Sequence, residues 1–277
     1  MLDMLNKALF AWVSGFSELI FASPAAHQLL YRTLTGYHTI DCMVSLGIHL
    51  GCFVALLVSC QKRIKQLQNE KRLEGRAKHR RSRKPDVGAL MDIRIVNTAS
   101  VTILLGFLLY PKISSCNIGL FLTAVALAVN GMVLFLPRLL STGNKNGRSF
   151  TQLDGVLMGM AGFLGMVPGF SRLGCMYSTG AARGAGKSYA LELSFMLSIP
   201  VMGALFCFDA YTCFLSAGGF TGAQLLGAFV AALMAFGGAY IAIMIMRLIC
   251  SRTTTVGFAY YSWGLAIFVL LIYLFVS

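Results

Sequence analysis

Charge is scarce in this chain of 277 residues. Asp, Glu, Lys and Arg make up 12% of it, hydrophobic residues 57%, and its mean hydropathy is +0.74. So little polar surface cannot coat a soluble globule, and the chain reads as an integral membrane protein. Acidic residues are scarcer still, 10 against 23 Lys and Arg, for a net charge of +13. In a soluble protein that excess would point to nucleic acid. Here about half of the basic residues fall in one run, Lys62 to Lys84, between two apolar spans. That pattern fits a solvated cytoplasmic segment beside anionic lipid, and nucleic acid is not expected as a partner. No Cys-x-x-Cys pair occurs among Cys42, Cys52, Cys60, Cys116, Cys175, Cys207, Cys213 and Cys250. They lie mostly inside apolar spans and read as small apolar residues, not disulfides or zinc ligands. The N-terminus has no basic stretch and no small-residue cleavage site, and Glu18 interrupts its apolar run. A cleaved signal peptide is therefore not expected.

Prolines are few, 6 in all, and two of them carry the organisation of the chain. Val167-Pro168-Gly169-Phe170-Ser171-Arg172-Leu173-Gly174 sets a proline, two glycines, a hydroxyl and an arginine between apolar segments. Pro168 should break the helix that starts near Asp154, because its ring clashes with the preceding turn and it has no N–H. Ser171 and Arg172 then lie at the break, beside freed backbone N–H groups. An arginine at membrane depth costs about 2.5–3.5 kcal/mol on insertion scales, which makes Arg172 a functional candidate. The plainer alternative is an arginine that snorkels to the headgroups. Near the N-terminus, Ala22-Ser23-Pro24-Ala25-Ala26-His27 interrupts a helix over residues 4 to 20 in the same manner. Two half-helices around a polar break suggest a re-entrant hairpin, tolerated in a membrane only where it is buried in protein or lines a cavity.

The remaining spans are Ile40–Cys60, Ile95–Tyr110, Ile118–Leu136, Lys187–Ala217, Gln224–Ile249 and Val256–Val276. His49, inside the first of these, is expected to be a satisfied packing residue. The Lys/Arg asymmetry puts Lys62–Lys84, Arg138–Arg148 and Arg247/Arg252 on the cytoplasmic side, with both termini outside. Counting crossings from there, the first hairpin enters from outside and the second, Asp154–Arg183, from inside. Each half then reads hairpin, span, span, span, with opposite orientation. The expectation is an all-α polytopic membrane protein, one membrane domain over 1–277. It would be an inverted-topology repeat (1–137, with a basic cytoplasmic loop over 61–94, part of it a helical extension with mixed charges and part disordered, and 150–277) with two re-entrant helical hairpins and about six full transmembrane helices. The two breaks would form the site, holding Glu18, Ser23 and His27 from one half and Ser171 and Arg172 from the other.

At these residues the chain resembles bacterial undecaprenyl pyrophosphate phosphatases of the bacitracin-resistance type, over nearly its whole length. The strongest match is Pro168-Gly169-Phe170-Ser171-Arg172, followed by Leu193-Ser194-Phe195-Met196-Leu197-Ser198-Ile199-Pro200. Gly15-Phe16-Ser17-Glu18, continuing to His27, and Asp41 to Leu57 match as well. The chain departs from the family in four places. The first of two glutamates four apart is Ser14, the second serine of a pair is Pro24, a serine is Leu173 and a threonine is Met176. The resemblance implies hydrolysis of undecaprenyl pyrophosphate to the monophosphate, recycling the cell-wall carrier lipid in the bacterial inner membrane. It implies Glu18, His27 and Arg172 as catalytic residues and Ser23, Gly169, Ser171 and Arg172 as substrate-binding. A divalent cation, Mg or Ca, would sit on Glu18, and a homodimer is left open.

The residue types suit the chemistry. A terminal phosphoryl group needs its charge neutralised, its attacker in line and its leaving group stabilised. The planar fork of Arg172 suits phosphate oxygens, Glu18 could hold a cation or act as a base, and His27 could carry a proton or attack. Three rival readings stand beside this one. Glu18 and His27 could simply satisfy each other in the core. The repeat could belong to a polyprenyl-phosphate transporter, and the site could be a decayed one.

Overall fold

In the computed structural model, residues 2–37, 41–77, 84–115, 119–140, 143–216, 221–252 and 255–276 are described. Residues 78–83 of the expected basic loop, and Cys116, lie outside them. The described residues form helices α1 (Leu2–Glu18), α2 (Pro24–Thr35), α3 (Cys42–Ala77), α4 (Val87–Phe107), α5 (Tyr110–Ser115), α6 (Leu120–Leu139), α7 (Gln152–Leu164), α8 (Arg172–Ala182), α9 (Lys187–Ser216), α10 (Gly222–Arg252) and α11 (Val256–Val276). Six of these, α3, α4, α6, α9, α10 and α11, are long and apolar enough to cross a membrane. The chain is an all-α polytopic membrane protein.

Local chemistry explains the breaks. Ser23 caps α2 by accepting from the Ala26 N–H at 3.3 Å, and Pro24 occupies the first helical position, where its missing N–H is harmless. α7 starts with a capping box between Thr151 and Asp154 and ends at Gly165, three residues before Pro168. Gly169 sits at φ +102°, backbone that a side-chain-bearing residue rarely adopts. Ser171 caps α8 through the Gly174 N–H at 3.1 Å.

Small residues fix how the hairpins dock. Along α1 and α10, a Cβ added at Gly227 would lie 3.7 Å from the Lys7 side chain, and one added at Gly15 would lie 2.4 Å from the Ala235 carbonyl. Along α7 and α4, Gly155 meets Ile95, and a Cβ added at Gly159 would lie 2.7 Å from the Ala99 carbonyl. Residue numbers rise together in both pairs, so α1 runs parallel to α10, and α7 to α4. Gly47 and Gly51 of α3 back onto Ala228 and Ala232, so α3 also runs parallel to α10. α4 returns antiparallel to α3, the Arg63–Asp92 pair holding the two together. The two hairpins therefore enter from opposite ends of the bundle, and each lies against a long helix of the other half.

Much of the basic segment is helix, as expected for part of it: α3 continues to Ala77 and α4 begins at Val87. Lys, Arg, Gln, Glu and Leu are strong helix formers, and the extension is tethered. The Glu70 carboxylate accepts from the Asp86 N–H at 2.9 Å, and Asp92, bound by Arg63, also accepts from the Tyr189 hydroxyl at 2.6 Å. At the same end Arg183 pairs with Asp154 at 2.6 Å and Arg247 with Glu192 at 2.7 Å.

Candidate active site

Glu18 is the last residue of α1 and Arg172 the first of α8. The Arg172 guanidinium donates to the Glu18 carboxylate, and each side chain is only 7% exposed. A buried ion pair must offset the desolvation of both charges, so it persists only with good geometry and further support. Ser171 supplies that support. Its hydroxyl donates to the Ile20 carbonyl at 3.2 Å, joining the break of one hairpin to the break of the other. Its N–H donates to Asn130 Oδ1 at 2.8 Å, and Asn130 donates in turn to Ser262 at 3.1 Å.

The pair lies in a cavity of about 240 Å³. Glu18 and Arg172 line it with Gln28 and Pro24 of α2, His49 of α3, Tyr110 of α5, Asp209 of α9 and the 165–168 turn. The α3 residues that line it, 45 to 49, lie near the start of that helix, and Lys62 to Ala77 lie at its far end. The cavity thus lies toward the end of the bundle away from the basic segment.

The named residues divide. Glu18 and Arg172 line the cavity. Ser23, Gly169 and Ser171 shape the breaks around it, and their polar groups serve as caps and turns. His27 does not join them. It faces a separate apolar cavity with Trp12, Phe16, Ile20, Phe258 and Tyr261. Its Nδ1 lies 2.7 Å from the Ser23 carbonyl, which can only accept, so Nδ1 carries the proton and Nε2 accepts from the Tyr261 hydroxyl at 2.6 Å. Both ring nitrogens are committed, and neither meets Glu18. Pairing of Glu18 with His27 is excluded in this arrangement, and Gln28, the next residue, faces the cavity instead. The sequence reading also missed Asp209. His49, read as a packing residue, bonds through Nδ1 to Asp209 Oδ2 at 2.6 Å. A lone acid deep in the apolar stretch Leu205 to Leu215 was the available signal.

The opposed hairpins of this helical membrane protein thus hold an arginine and a carboxylate together at a cavity near one end of the bundle. The chain belongs to the family described as bacitracin resistance protein BacA, whose model matches residues 7–268. It is similar to an undecaprenyl-diphosphatase of Nocardioides sp., 31% identical over 209 residues, 74% of each chain. A protein of the same name from Carboxydothermus hydrogenoformans is 25% identical over 275 residues, 98% of each. Undecaprenyl-diphosphatase 2 of Burkholderia thailandensis is 31% identical over 199 residues, covering 69% of this chain and 70% of that one.

Proposed function

We propose that this protein hydrolyses undecaprenyl pyrophosphate to undecaprenyl phosphate and phosphate, in the inner membrane of a bacterium, at the face away from the cytoplasm. The observation that carries this reading is the buried Arg172–Glu18 pair where the two hairpins cross. Arg172 is poised to bind the oxygens of the terminal phosphoryl group, exchanging the Glu18 carboxylate for phosphate as the headgroup enters. Ser171 and Asn130 keep α8 and its arginine in place, so the site is organised before substrate arrives. Pro24 lines the cavity at the position where the family has a serine, so that position offers no hydroxyl, and water is the attacking group in this reading.

A divalent cation is the remaining element implied by the resemblance. The donor set does not form a cage for a resident one. Glu18 is already engaged by Arg172, the family's first glutamate is Ser14 here, and no cluster of three or more metal-binding side chains occurs among the described residues. We therefore propose that a cation, if needed, enters with the pyrophosphate and uses Glu18 only as an added ligand. Phosphate release from a C55 lipid pyrophosphate by the purified protein, with and without chelator, tests both points. Release that persists at saturating chelator rules out the cation. Lipid movement across vesicles without any release would favour the transporter reading.

A further inference from the structure

We propose that His49 and Asp209 are the proton-handling pair of this site, His49 taking a proton from the attacking water while Asp209 holds its ring. The proposal rests on the phosphatase reading above. Three observations carry it. The two side chains come from α3 and α9, 160 positions apart, and meet at 2.6 Å with only 15% and 13% exposure. Both line the same cavity as Arg172 and Glu18. His49 Nε2 has no hydrogen-bond partner among the described residues, while Nδ1 is taken by the carboxylate.

The chemistry follows from the tautomer. An ionised carboxylate only accepts, so Asp209 places the ring proton on Nδ1 and leaves a basic lone pair on Nε2. It also stabilises the imidazolium formed when Nε2 gains a proton, the role a carboxylate plays behind a histidine base. No other group in the cavity is as free for this task. Glu18 is bound to Arg172, and His27 lies in another cavity with both nitrogens used. In the step itself, the water oxygen forms a bond to the terminal phosphorus. The bond from that phosphorus to the bridging oxygen breaks, and the bridging oxygen keeps the electron pair and departs as the lipid monophosphate. One water proton moves to His49 Nε2 and the other stays on the released phosphate. His49 then gives its proton to product or solvent.

A clamp between α3 and α9 would show the same contact, so the test must separate the two roles. His49→Asn keeps an amide donor near the Nδ1 position but has no base. In purified full-length protein acting on C55 pyrophosphate, it should lower kcat by about 10²–10⁴-fold with KM changed by no more than about threefold. Asp209→Asn should lower kcat by at least about tenfold, because the amide no longer fixes the tautomer or stabilises the cation. Added imidazole should partly restore His49→Ala, a response that a clamp cannot give. Unchanged kcat in His49→Asn, or no response of His49→Ala to imidazole, overturns the pair while the parent protein still releases phosphate. A parent protein that releases none overturns the phosphatase reading and this proposal with it.

Discussion

Removing Arg172 should separate what the buried pair does for stability from what it does for catalysis. In Arg172→Ala the Glu18 carboxylate, 7% exposed in the parent protein, loses its counter-charge, a loss of about 3–5 kcal/mol for a broken buried pair. At about 2–4 °C per kcal/mol, the unfolding midpoint in detergent should fall by roughly 6–20 °C. Catalysis should fall as well, by at least the roughly 10²–10³-fold that one preorganised donor to a developing charge is worth. Removing both charges, as in Arg172→Met with Glu18→Gln, should return most of the stability, since a buried pair and an apolar replacement of similar volume are nearly equivalent. It should return none of the activity. Arg172→Lys should keep the stability better than alanine and still fail in turnover, because an ammonium has no bidentate fork. Thermal unfolding followed by size-exclusion, beside phosphate release from C55 pyrophosphate, reads both quantities. If Arg172→Ala released phosphate at the parent rate, or if the double variant regained turnover, Arg172 would not be the anion ligand.

Three further outcomes are expected. Gly165→Ala should abolish activity in a protein that still inserts, because a Cβ there would overlap the Arg172 backbone; parent-like turnover would show that the turn can shift without moving the arginine. Single cysteines at positions 70–77 should resist an impermeant thiol reagent added to intact cells in a background lacking the exposed Cys207, and labelling from outside would invert the topology. Ser14→Glu combined with Pro24→Ser should raise turnover and make it more sensitive to chelator, since the pair adds the carboxylate and hydroxyl that the chain lacks. No gain in either measure would show that the cavity works without them.

The breaks were legible because proline and glycine act locally. Pro24 and Pro168 mark both hairpins, and interrupted segments at matching positions of the two halves implied that Glu18 and Arg172 share a site. The helical continuation past Cys60 was legible only in part. Its mixed charges allowed a helical extension but not its length, which the tethers of Glu70 to Asp86 and of Arg63 to Asp92 support. His27 was assigned by motif, but the side a residue faces on a short helix turns on a single position. With Ser23 as cap, Pro24 and Gln28 point into the cavity and His27 turns to Tyr261. The partnership of His49 and Asp209 depends on α3 and α9 running antiparallel, which no local pattern in either helix specifies.

The way each hairpin lies against a helix of the other half has a consequence for biosynthesis. α1 docks on α10, and Glu18 is neutralised by Arg172, more than 150 positions later in the chain. A nascent chain that has emerged as far as α6 holds a carboxylate at membrane depth with its partner not yet made. That carboxylate is inexpensive only while protonated or near the lipid surface. The first hairpin must therefore wait in a provisional position and settle when the second half inserts. Coexpressed fragments cut between α6 and α7 should form an active protein together, while the N-terminal fragment alone should be open to proteolysis at α1.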